Sequence, residues 1–266
     1  MSTIEAVLAG EARWCVVEGD CIEVMRSMPD QCVQHAITDP PYSAHVHKSV
    51  RRGGSVHAPD VTTGGPKRPV ISSSTVLGFE HLTAGTRRGV ANSLARIVQR
   101  WSMAFSDEDS MHLWRRSFHA AGLERVRSMF WIRRGGAPQF TGDRPATAVE
   151  AITLVHPPGR KRWNGGGKHA LYDHPIVPGG PDRLHTTQKP LPLMLELVAD
   201  FTDEGDVVLD PFAGSGTTGV ACLRLNRRAI LIEQSPEKCD LIRDRMSSEE
   251  HLVGVASVRA RQEALF

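Results

Sequence analysis

The chain has no apolar run of membrane-spanning length, no CxxC pair, no internal repeat and no excess of charge of one sign. The first absence excludes a helical membrane protein, because a bilayer needs about 20 consecutive apolar residues. The opening Met1-Ser2-Thr3-Ile4-Glu5 lacks the charged and apolar blocks of a secretory leader, so a cytoplasmic location is expected. Five cysteines (Cys15, Cys21, Cys32, Cys222 and Cys239) are an odd and scattered set. Without CxxC spacing, reduced and mostly buried thiols explain them better than disulfides or zinc. No metal is expected: His45, His47 and His57 read as polar loop residues rather than ligands.

What is present suits one compact domain. The 266 residues include 40% hydrophobic ones, enough for a single core near the upper size limit. Strand and helix patterns alternate: strands at 13–17, 35–38, 100–106, 126–133, 150–156, 207–210 and 229–232, with helices at 22–28, 90–99, 191–201 and after 216. Ser106-Asp107-Glu108-Asp109 offers an N-cap and first-turn acids for a helix running to Ala121. Residues 43–87 and 157–183 show no sustained period and are rich in turn formers. Long loops inside a compact domain are normally functional or mobile.

Net charge is only +2, yet it is unevenly spread. Residues 43–100 hold nine Lys/Arg against Asp60 and Glu80, a net +7, whereas 201–250 hold ten acids against six bases, a net −4. Solvated loops account for such a run taken alone; a polyanion partner accounts for it beside a catalytic motif. The second irregular stretch carries Arg160-Lys161-Arg162-Trp163-Asn164, then three glycines and Lys168, which suits phosphate contact and base stacking or a plain surface loop.

Two motifs carry chemistry. Asp39-Pro40-Pro41-Tyr42 halts the apolar run of residues 35–38. Paired prolines fix two φ angles and remove two donors, leaving a carboxylate, carbonyls and a ring in one rigid turn. That set suits a planar amino group, although a simple strand-ending turn is the commoner meaning of Pro-Pro. Val207-Val208-Leu209-Asp210 then reads as a buried strand, followed by Pro211-Phe212-Ala213-Gly214-Ser215-Gly216-Thr217-Thr218-Gly219 and a helix. Strand, glycine turn and helix N-terminus suit a nucleotide-cofactor site, with Glu233, ending the next strand, placed for ribose hydroxyls; a glycine turn with no ligand is the plainer reading. Gly214, Gly216 and Gly219 also match a dinucleotide fingerprint, but too little chain follows for a second mononucleotide half, and Asp-Pro-Phe is not the dehydrogenase lead-in.

Together these motifs closely resemble the DNA amino-methyltransferases that use S-adenosylmethionine (AdoMet). The family's acid-Pro-Pro-aromatic motif stands at Asp39 to Tyr42 and its Asp-x-Phe-x-Gly-x-Gly motif at Asp210 to Gly216. His185-Thr186-Thr187-Gln188-Lys189-Pro190 resembles the family's His-Pro-Thr-Gln-Lys-Pro segment, with Thr186 replacing proline, and Gly19-Asp20 matches its acidic position before the catalytic motif. Catalytic motif first and cofactor motif last resembles the β group. The resemblance implies an α/β fold: a single Rossmann-like domain over 1–266 with a mostly parallel, circularly permuted seven-stranded sheet, and recognition insertions at about 43–100 and 157–185.

The resemblance also implies a function. Asp39, Pro40, Pro41 and Tyr42 would be catalytic, and AdoMet would be held by Asp20, Cys21, Asp39, Thr187, Lys189, Asp210, Phe212, Ala213, Gly214, Ser215, Gly216, Thr217, Glu233 and Gln234. Phe212 to Gly216 would wrap the methionine and ribose end, Glu233 the ribose hydroxyls, Asp20 the adenine amine, and Thr187 and Lys189 the carboxylate. Asp210 would accept near the sulfonium, cap the following turn, or both. The expected reaction is methylation of adenine N6 in double-stranded DNA after the base leaves the helix. Cytosine N4 is the nearest alternative, where Ser more often replaces the acid. RNA, a protein glutamine amide and a silent DNA-binding scaffold follow further off. A homodimer and a separately encoded restriction endonuclease are the implied partners.

Overall fold

In the computed structural model the described residues are 2–41, 82–136, 138, 142–178 and 188–263. In chain order they form α1 (Ile4–Ala9), β1 (Trp14–Glu18), α2 (Cys21–Ser27), β2 (His35–Thr38), α3 (Ala84–Ile97), β3 (Ser102–Ser106), α4 (Met111–Ala120), β4 (Glu124–Arg134), β5 (Val149–His156), β6 (Leu171–Pro175), α5 (Leu191–Phe201), β7 (Val207–Asp210), α6 (Thr217–Arg224), β8 (Arg228–Glu233) and α7 (Pro236–Glu263). The expected α/β alternation is present, and β2, α5 and β7 fall on the residues expected of them. Tyr42, Thr187 and the three loop histidines lie outside the described residues.

The strands join one sheet in the order β1-β8-β7-β2-β3-β5-β4-β6. Neighbours run parallel except that β5 is antiparallel to both β3 and β4. The sheet has eight strands, which corrects the expected seven. The eighth, β6, falls inside the stretch read as irregular loop and pairs parallel with β4 from Leu171 to Pro175. Its Leu-Tyr-Asp-His-Pro sequence buries only Tyr172 fully, so one apolar contact at the sheet edge left no strand signature. The helix after β3 also starts later than expected. Ser106 completes the strand, Asp107 Oδ1 accepts the Ser110 N–H at 2.7 Å, and α4 begins at Met111.

Alternation along the central strands builds two cores. Ile37 of β2, Val208 of β7 and Leu231 of β8 face α5, α6 and α7, meeting Leu197, Val198, Val220 and Ile242. Ala36, Leu209 and Ile230, one residue away on the same strands, face α2, α3 and α4, meeting Met25, Leu94 and Phe118. Strands buried on both faces read as continuous apolar runs, which is why they were visible in sequence. Val90, Ala91, Leu94 and Ile97 of α3 are fully buried, so that part of the 43–100 region belongs to the core. Among the described residues no helix is long and apolar enough to cross a membrane.

Candidate active site

Parallel pairing brings four strand ends into one row. Because β1, β8, β7 and β2 are neighbours with one direction, their C-terminal ends share an edge of the sheet. Asp20 follows β1, Glu233 ends β8, Asp210 and the glycine turn end β7, and Asp39 follows β2. Ligands of open α/β sheets bind outside this edge. Residues more than 190 positions apart in sequence are thereby assembled by strand order alone.

At one end of the row stands Asp39, followed by buried Pro40 and half-buried Pro41. Its Oδ2 accepts from the Lys189 ammonium at 2.5 Å, and Lys189 also pairs with Glu150 of β5 at 3.1 Å. Glu150 in turn lies 3.4 Å from Arg133 of β4. The ammonium also sits 5.0 Å from the centroid of Phe105 and 6.0 Å from that of Trp131, so two aromatic faces border it. Asp39 Oδ1, by contrast, is buried without a hydrogen-bond partner among the described residues. Burial pushes the Asp39 carboxyl above the usual aspartate value; Lys189 pulls it down and Glu150 adds to the rise. Burial opposes the charge on Lys189, but Asp39 and Glu150 together hold it above the ordinary lysine range.

The glycine turn is built from Asp210 outward. Asp210 Oδ1 accepts the Phe212 N–H at 3.1 Å and Oδ2 accepts the Thr218 hydroxyl at 2.5 Å, so this carboxylate ties the two ends of the turn. Burial pushes its carboxyl up to about 7, against the pull of those two bonds. Gly214 and Gly216 adopt φ of +57° and +75°, which glycine reaches without a Cβ penalty. The Gly214 N–H donates to Glu233 Oε2 at 2.9 Å, while Glu233 Oε1 accepts from the Gln234 and Ser235 N–H groups, both at 3.1 Å. Ala213, Ser215 and Thr217 are buried around the turn, and Phe212 is half-buried.

Asp20 is exposed, and its Oδ1 accepts the Ile22 and Glu23 N–H groups at 2.9 and 3.1 Å, capping α2. Cys21 beside it is buried, and burial pushes its thiol up to about 12, so it acts there as a small apolar group. The structure thus gathers Asp20, Glu233, Asp210, the glycine turn and Asp39. It directs the Lys189 ammonium at Asp39 and Glu150, a pairing not foreseen from sequence. Three residues went unnoticed there: Glu150, Arg133 and Arg245. Glu150 had a signal, since one acid inside the apolar run Val149-Glu150-Ala151-Ile152 has to find a buried partner. Arg245 of α7 donates to the Ser215 carbonyl at 2.6 Å and bonds Thr217 Oγ1 at 3.2 Å, holding the glycine turn from behind. A lone arginine in a long polar helix gives no such sign.

Known proteins agree with this architecture. A DNA methylase family profile, covering N6 and N4 enzymes, matches residues 99–244. The chain therefore belongs to the N6/N4 DNA methylase family and is a DNA methyltransferase of that family. It is 25% identical, over 263 aligned residues and 87% of each chain, to the type II methyltransferase M.XycI of Xanthomonas campestris pv. cyanopsidis. Among solved structures it shares the fold of the M1.HpyAVI–SAM complex at a TM-score of 0.63 and 21% identity, covering 88% of this chain and 98% of that one. It likewise shares the fold of the cytosine-N4-specific PvuII DNA methyltransferase at a TM-score of 0.65 and 13% identity, covering 91% and 93%.

Proposed function

We propose that the protein methylates the exocyclic N6 of adenine in double-stranded DNA, with AdoMet as the methyl donor. The observation that carries this reading is Asp39 Oδ1, a buried acceptor without a described partner, one strand away from the Gly214–Gly216 turn. The row of groups fits AdoMet. Two left-handed glycines let backbone approach a ligand, Glu233 suits ribose hydroxyls, Asp20 keeps Oδ2 for an adenine amine, and acidic groups suit a cation. Phe212 to Gly216, with Thr217 and Gln234 beside them, would hold its methionine and ribose end, and Thr187 its carboxylate. Bound there, the cofactor supplies an electrophilic methyl on a sulfonium.

The chain's own residues do the rest. In adenine the N6 lone pair is delocalised into the ring and the nitrogen is a poor nucleophile. Asp39 Oδ1 accepts one N6–H and the Pro40 carbonyl the other, drawing the nitrogen towards tetrahedral geometry and localising its lone pair. Tyr42 stacks on the base, and stacking worth about 1–3 kcal/mol offsets much of the few kcal/mol that base extrusion costs. Catalysis then comes from positioning and electrostatics rather than a covalent enzyme intermediate. Residues 43–83 and 157–170, which precede α3 and β6, are the proposed DNA-reading segments. Asp39 favours adenine over cytosine N4, for which Ser is the commoner residue in the resembling enzymes.

Incubating the protein with unmodified DNA and methyl-labelled AdoMet, then analysing nucleosides, tests this. N6-methyladenine is expected. N4-methylcytosine would replace the adenine assignment, and unlabelled DNA would remove the activity.

A further inference from the structure

We propose that Lys189 is a positioning residue for Asp39, gripping Oδ2 from a fixed place between Asp39 and Glu150 so that Oδ1 stays ionised and turned to the substrate amine. The inference rests on the reading of Asp39 given above and adds two residues to that site. Lys189 and Glu150 are both buried, with side-chain exposures of 8% and 7%, whereas Asp39 keeps 26%. Lys189 and Glu150 are therefore the buried anchors of the cluster, while Asp39 and Arg133 keep partial exposure.

A buried ion pair of this kind contributes little net stability, because desolvation offsets the attraction. It does fix charge and direction. The charged groups facing Asp39 come from four elements: Lys189 just before α5, Glu150 on β5, Arg133 on β4 and Asp210 on β7. The ion-paired members Asp39, Glu150, Lys189 and Arg133 sum to zero, with Asp210 a further acid beside them. Removing either Lys189 or Glu150 breaks that balance, but in opposite senses. Without Lys189 the buried Glu150 is left beside Asp39 with no ammonium between them, which disfavours a second carboxylate charge. Without Glu150 the ammonium has one carboxylate fewer to neutralise, which favours charge on Asp39. An opposite charge within ~4–6 Å moves a carboxyl by about 1–3 pH units. A residue with a purely structural role predicts no such reversal.

The test is a carbon-13 NMR titration of aspartate carboxyls in the protein without DNA or cofactor, with Asp39 assigned through Asp39→Asn. Lys189→Met is expected to raise the Asp39 midpoint by about 1 unit or more, Glu150→Gln to lower it, and Lys189→Arg to restore it close to the original. The acidic limb of kcat should move in the same directions, with AdoMet affinity retained. An unmoved midpoint in Lys189→Met, or shifts of one sign in both variants, overturns the proposal. So does a loss of AdoMet affinity in Lys189→Met with the midpoint unchanged, which would assign the ammonium to the cofactor carboxylate. If Lys189→Met does not fold, the sign of the Glu150→Gln shift decides. Methylated DNA with no shift removes the positioning role alone; the expected shifts without methylation remove the function alone.

Discussion

The two carboxylate oxygens of Asp39 have different surroundings. Oδ2 is held by an ammonium at 2.5 Å and Oδ1 is buried and unpartnered among the described residues. A buried acceptor without a donor costs roughly 1–3 kcal/mol, so a bound amine regains what the resting site forgoes. Asp39→Ala should abolish methyl transfer while leaving AdoMet affinity within about tenfold, roughly 1.4 kcal/mol. Isothermal titration beside a transfer assay measures both; a variant that turns over normally removes Asp39 from the chemistry. At this scale the sequence was informative wherever a motif was contiguous. Asp39 and Gly214 could be picked out by their neighbours, whereas Glu150 and Arg245 act through contacts made by distant elements.

The same strands that carry the site are tied at their other ends. His35 opens β2, Asp206 precedes β7 and Arg100 precedes β3; His35 Nε2 lies 2.8 Å from Asp206 and Arg100 3.3 Å from it. Burial holds the His35 imidazole below its usual value of 6.5, opposed by the bond to Asp206. The unfolded chain therefore binds a proton near pH 6.5 that the folded chain refuses until lower pH. Stability from this group is complete above about pH 6.5 and is lost as pH falls from there toward the folded value. Asp210, pushed up to about 7, works the other way, so the comparison is between wild type and variant at each pH. The wild type should lose thermal midpoint relative to His35→Gln on going from pH 7 to pH 5; parallel curves would contradict it. The strands covered on both faces could be read from composition, while β6, at an edge with one buried side chain, could not.

For the whole molecule, strand order does what chain order hides. Asp39 and the Gly214 turn are far apart in sequence and are adjacent because β2 pairs with β7. Sequence could supply the two motifs and their order, and the family resemblance supplied their convergence; periodicity alone could not have paired those strands. Residues 43–83, which follow the catalytic motif in sequence, hold five Lys/Arg against Asp60 and Glu80, a net +3, whereas Arg96 and Arg100 further on are taken up by Asp30, Asp203 and Asp206. Lys/Arg contacts to phosphates release counterions, with a slope of about −0.9 in log affinity per log salt for each contact. DNA affinity should therefore fall steeply with salt, and neutralising Arg51 and Arg52 should flatten the slope. A salt-independent affinity would remove the basic region from DNA binding.

The most direct measurement is a crystal structure of the protein with AdoMet and a target duplex. The proposed chemistry predicts an extruded adenine whose N6 lies about 3 Å from Asp39 Oδ1, within hydrogen-bond reach, with the sulfonium beside the Gly214–Gly216 turn. A base seated elsewhere, or a cofactor bound away from that turn, would contradict it.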